Sequence, residues 1–212
     1  MAGRVQKVEP PALPQATLSY EQSFHDQHSN VLRLFFNRLT ASFNALIDPD
    51  AGGASLYLPY GAFSDSTDQY AALTTAAYPI SFNTTDYSSY VTIVSGTRMT
   101  VTKAALYNLQ FSIQFVNTDS QIHDVDVWIR KNGLDVANTN SRFSIPNRHG
   151  SVDGHAIAAL NIPIQLAIND YVEIIWHTDN INVSIQYLPA AVAPVRPATP
   201  SVIATLFFVS SV

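Results

Sequence analysis

From Leu106 to Phe115 the chain alternates without a slip: Tyr107, Leu109, Phe111, Ile113 and Phe115 against Asn108, Gln110, Ser112 and Gln114. Successive strand residues point to opposite faces, so this pattern demands a strand with one dry and one wet face. After a polar turn, Val125, Val127 and Ile129 alternate with Asp124, Asp126, Trp128 and Arg130. Asn132-Gly133 follows, a pair that tolerates positive φ and closes tight hairpins. The expectation is two adjacent antiparallel strands closed by a tight turn, within an all-β domain.

A chain of 212 residues can bury a real core, and one β domain with an appendage is the natural count. Charged residues make up 13% of it, against about 25% in ordinary soluble domains. With so little charge and 47% hydrophobic residues, the reading is that much of the surface is hidden in an assembly, a neutral monomer being the alternative. A net charge of −5 argues against a nucleic-acid groove, which needs basic residues to replace counterions. The absence of cysteine excludes a disulfide-stapled secreted domain. Residues 1–14 carry Arg4 and Lys7 but no apolar run, which does not fit a signal peptide. No stretch approaches the roughly 18 apolar residues that insertion across a membrane requires.

Three parts are expected. Residues 1–19, with Pro10, Pro11 and Pro14, form an extended N-terminal arm. Residues 20–48 form an amphipathic helix, because Leu32, Phe36, Leu39, Phe43 and Leu46 are spaced as a coiled-coil seam. Ser29 or Asn30 offers a cap for its apolar part, and Asp48-Pro49 ends it. Such a helix either lies on its own β domain or bundles with copies of itself, and the latter is favoured. After the linker at 48–53, residues 55–212 break into many short apolar segments separated by turn residues, the signature of a sandwich or jelly roll. Two late strands are greasy on both faces: Tyr171 and Ile175 lie opposite Val172, Ile174 and Trp176, and Ile203 and Phe207 lie opposite Val202 and Leu206. A sandwich strand needs one dry face, so Tyr171, Ile175, Ile203 and Phe207 are expected to meet a neighbouring subunit.

Several stretches resemble a known superfamily. Ala105-Leu-Tyr-Asn-Leu-Gln-Phe-Ser-Ile-Gln-Phe115, Val127-Trp-Ile-Arg-Lys-Asn-Gly133 and Leu166-Ala-Ile-Asn-Asp-Tyr-Val-Glu-Ile174 are similar to the tumour-necrosis-factor and complement-head domains. Asn169-Asp170 stands where that pattern has Gly-Asp. More closely, Pro59-Tyr-Gly-Ala-Phe63, Phe82-Asn-Thr-Thr-Asp86, Ile122-His-Asp-Val-Asp-Val-Trp128 and Arg196-Pro-Ala-Thr-Pro-Ser-Val202 resemble a group of tailed-bacteriophage virion proteins. The resemblance covers about residues 55–212, with 31–46 also similar. It implies a TNF-like antiparallel jelly roll forming a homotrimer on a phage particle, in a tail appendage or as a capsid decoration. The partners it implies are copies of the chain and other virion proteins. The resemblance brings no shared catalytic residues.

No catalytic constellation stands out, and neither an enzyme nor a cofactor is expected: there is no Gly-x-Ser-x-Gly elbow, no phosphate-cradling Gly loop and no His-Glu-x-x-His. His149, Asp153 and His155 could ligate a metal but lack a further ligand, so a solvated loop is the reading. Asp124 and Asp126 share one strand face, where a solvated face or an inter-strand pair with Arg130 or Lys131 is expected. A second reading makes the chain a recognition module for host surface glycan or protein, with Tyr87, Tyr90 and Asn147 as candidate contacts.

Overall fold

A computed structural model describes residues 10–15, 18–47 and 58–211. Most of the arm expected over 1–19, and the linker expected at 48–53, lie outside the described residues. The chain divides into two units, Met1–Leu58 and Pro59–Val212.

The first unit carries helix α1 (Gln22–Ile47), 26 residues without a Gly or Pro and so about 39 Å long. It begins a full two turns before the anticipated cap. Ser29 and Asn30 are interior, and the Asn30 side-chain oxygen accepts a hydrogen bond from Arg33 at 2.8 Å. Ring pairs one turn apart, such as Phe24 with His28 at 6.0 Å, extend the helix through the polar stretch that broke the apolar seam. No residue of α1 is buried.

The second unit is built of strands. In chain order they are β1 (Tyr60–Asp65), β2 (Gln69–Tyr70), β3 (Tyr78–Pro79), β4 (Thr84–Ser89), β5 (Val91–Val94), β6 (Arg98–Val101), β7 (Ala105–Asn117) and β8 (His123–Lys131). There follow β9 (Leu134–Asp135), β10 (Ser141–Ile145), β11 (Gly154–Leu166), β12 (Tyr171–Thr178), β13 (Val183–Ile185), β14 (Ala191–Val192), β15 (Val195–Arg196) and β16 (Val202–Ser210). One antiparallel sheet runs β2-β13-β7-β16-β1-β4, with β11 on the free side of β7; a second runs β10-β8-β12-β6-β5, with β3 on β12 and β9 on β8. The inward residues of both sheets form one core, with Tyr107, Leu109 and Ile113 of β7 and Val127, Ile129, Ile174 and Trp176 of the other sheet all essentially excluded from water.

The alternation in the sequence is met residue by residue. The hairpin is not. β7 and β8 lie in different sheets and do not pair, because the 118–122 connection carries the chain across the core. The Asn132-Gly133 turn, with φ of 50° and 82°, instead folds the short β9 back on β8. Burial has a chemical consequence at Tyr107: its hydroxyl donates to the carbonyl of Lys103 at 2.7 Å, and desolvation pushes the phenol up to about 12.

The turn before β12 is locked by polar contacts. Asn169 takes a φ of 68°, a conformation that Asn adopts more readily than most other non-glycine residues, so its place at a Gly-Asp turn is tolerated. Asp170 accepts from Lys131 Nζ at 2.8 Å, Ala167 N at 2.8 Å and Asn132 Nδ2 at 2.7 Å. Desolvation alone would raise its carboxyl; these donors outweigh it and hold the group at about 2, below the ordinary 3.8. A depressed carboxylate stabilises the fold above its unfolded pKa and loses that contribution as pH falls through the folded one. Asp170→Asn is therefore expected to cost about 1–2 kcal/mol near neutrality and to flatten the loss of stability between about pH 4 and about pH 2. Urea melts across that range check it.

Candidate functional site

The two sheets present opposite chemistry to the outside. On β7, β11 and β16 the outward residues include Asn108, Gln110, Ser112 and Gln114, then His155, Ile157, Ala159, Asn161, Pro163 and Gln165, then Ile203, Thr205, Phe207 and Val209. None is an Asp, Glu, Lys or Arg. Ile157 (61%), Ile203 (44%), Phe207 (42%) and Val209 (53%) are the exposed apolar members. A shallow hollow of about 490 Å³ crosses this face between Ser112, Asn161, Ile203 and Thr205. The Thr205 hydroxyl is buried in it without a hydrogen-bond partner among the described residues. β11 is an edge strand of 13 residues that, among the described residues, pairs only with β7.

The outer face of the other sheet is charged and cross-linked. Arg142 grips Asp126 bidentately, with both contacts at 3.0 Å. Ser144 donates to Asp124 at 2.7 Å. Arg130 donates to Asp135 at 2.9 Å, so Asp124 and Asp126 do not take the Arg130 and Lys131 partners anticipated for them. Arg98 lies 4.6 Å above the Tyr171 ring and 3.5 Å from Glu173, which also accepts from Thr97 at 2.8 Å. The pairs follow from register: Arg142, Asp126 and His177 are direct cross-strand neighbours on β10, β8 and β12.

The anticipated subunit contacts divide between these faces. Ile203 and Phe207 stand exposed on the uncharged one. Ile175 is a correction: it is fully buried within its own chain. Its register neighbours are Trp128 and Pro79, and the loop before Pro79 is tied down by a 2.7 Å contact from His177 to the Thr74 carbonyl. A residue already covered this way has no surface to offer a second subunit. Tyr171 is half-buried under Arg98. On the helix, Phe36 (56%), Leu39 (42%), Phe43 (58%) and Leu46 (48%) are exposed and Leu32 is half-exposed.

The candidate ligand contacts do not converge. Tyr87 is exposed on the outer strand β4. Tyr90 takes a φ of 60° with Lys103 Nζ 4.1 Å from its ring, and Asn147 donates to the Arg148 carbonyl at 3.1 Å. His149, Asp153 and His155 form no metal-holding group among the described residues, and Asp153 faces Arg148 at 3.6 Å. His123 sits between Asp119 (2.7 Å) and Asp179 (3.2 Å), a clasp between two loops that sequence spacing did not reveal. No helix among the described residues is long and apolar enough to cross a membrane. No known protein family and no curated protein matches this chain.

Proposed function

We propose that this chain is a non-catalytic structural protein of a bacteriophage particle. In this reading it is a homotrimeric TNF-like jelly-roll knob, held to capsid or tail proteins by its N-terminal arm and helix. The observation that carries the assembly is the uncharged outer face of β7, β11 and β16. Residues that lie at a threefold axis meet copies of themselves, and a charge buried elsewhere in the contact must find an opposite partner or lose its hydration uncompensated. A face made of amides, hydroxyls and aliphatic groups avoids that cost, whereas a water-facing sheet is ordinarily sprinkled with Lys and Glu. The exposed seam of α1 adds a second surface that copies can share, at about 1.5–3 kcal/mol per Phe or Leu fully buried. The strand orders β11-β7-β16-β1 and β10-β8-β12-β6-β5, with the chain passing between sheets after β7, β10, β11 and β12, support the jelly-roll part. The phage part rests on the resemblance of the motifs between Pro59 and Val202.

Light scattering on the full chain tests the assembly. A trimer is expected, and a monomer across a wide concentration range overturns it. Phe36→Asp combined with Phe43→Asp is expected to leave the β unit folded and to weaken the trimer by about tenfold or more, read as a shift in the dissociation midpoint. Unchanged assembly would show that the helix is not the clamp. Imaging the protein on a particle tests its place there.

A further inference from the structure

We propose that the hollow on the charged face, between β8, β12 and the 134–140 loop, binds one neutral hexopyranose unit of a polysaccharide. The site is independent of the assembly surface, on the opposite sheet. It is a shallow, open hollow of about 460 Å³ whose lining includes Asp126, Trp128, Asp135, Asn138, Asn140 and His177. That volume falls in the roughly 300–1,000 Å³ range of small-ligand sites.

The lining has the chemistry that a sugar ring needs. A pyranose offers an apolar C–H face, which an aromatic ring can cover, and a rim of hydroxyls that each donate and accept. Trp128 supplies the ring, half-buried and fixed by its indole N–H to Asp135 Oδ1 at 2.9 Å. Arg130 holds the same oxygen at 2.9 Å, and Asp135 Oδ2 receives no hydrogen bond among the described residues. Asp126 is immobilised by Arg142, and Asn140 donates to it at 3.3 Å, leaving the Asn140 side-chain carbonyl without a partner among the described residues. The Asn138 side chain has no partner among the described residues, while its backbone is set at a φ of 64°. His177 is anchored through Nε2 to the Thr74 carbonyl at 2.7 Å. Hydrogen bonds from Arg142 hold Asp126 below the usual carboxylate range, and the Trp128 indole does the same for Asp135, so both remain acceptors.

Other ligand classes fit less well. Two carboxylates repel an anion. Each carboxylate already faces an arginine, which a bare cation would have to displace. An extended peptide needs a free strand edge, and β8 is paired on both sides.

Intrinsic fluorescence tests the site, because the chain has two tryptophans and Trp176 is sealed in the core. Glucose, galactose, mannose and N-acetylglucosamine are titrated separately into the full chain. One of them is expected to shift the Trp128 emission with saturation on the order of 1–10 mM. Asn138→Gly, which keeps the positive φ available, and Asp135→Asn are each expected to weaken it by about tenfold with circular dichroism unchanged. No emission change with any of the four sugars overturns the proposal, as does a change that survives both substitutions. Light scattering on the same samples separates the two readings, since a trimer that binds no sugar removes the site and leaves the assembly.

Discussion

Replacing Ile203 and Phe207 together by aspartate is expected to turn the trimer proposed above into folded monomers. Both side chains point away from the core, so the strand keeps its inward set of Val202, Ala204 and Leu206, all excluded from water. The fold therefore loses little, and melting should move by only a few degrees. Assembly loses much more. Each chain would bring two carboxylates to a face that has none, and three chains would bring them to a common axis. Desolvating and crowding those charges costs several kcal/mol, which shifts the association midpoint by on the order of 100-fold or more. Light scattering and circular dichroism on the same sample give the two readouts. A double variant that still assembles like the parent would move the interface elsewhere.

Gly154→Ala is the largest effect expected on folding itself. A Cβ at Gly154 would meet the backbone carbonyl of Pro146 far inside van der Waals contact, with Asn147 O only 3.0 Å away. Neither strand can yield easily. Gly154 is in register with Asn117 of β7. The buried Asn117 amide in turn donates to the Gln121 carbonyl at 2.8 Å and to the Ile145 carbonyl at 3.4 Å. Moving the backbone breaks that junction, so a loss of about 3 kcal/mol is expected, measured as a shift in urea midpoint at unchanged slope. A glycine whose substitution left the midpoint in place would mean that the 146–154 loop relaxes freely.

The faces of the strands could be read from the sequence, and their partners could not. Period-two alternation fixed which β7 and β8 residues point inward, since it depends only on backbone geometry. It carries no information about the neighbouring strand, which is why β7 and β8 looked like one hairpin and prove to be in separate sheets. Thr84–Ser89 escaped notice because β4 lies at the end of its sheet and turns no large apolar residue inward. Ile175 shows the limit of arguing from a second greasy face: sequence registers the need for cover, whereas the same chain supplied it. The sugar-sized hollow was invisible for a related reason. Asp126, Asn140 and His177 come from separate stretches, and only strand register sets them side by side.

The unpaired outer edge of β11 has a consequence for how such a protein is made. Lys131 Nζ covers the Gln165 carbonyl at 2.8 Å, but a long ladder edge without a partner strand is a template for any other extended chain, so newly synthesised copies face a race between ordered docking and clumping. Pro163 interrupts that ladder by removing a donor in its last third, which shortens the run a stray strand could zip along. Crowded synthesis at high temperature, where misdirected pairing gains on docking, is thus where yield should fall first.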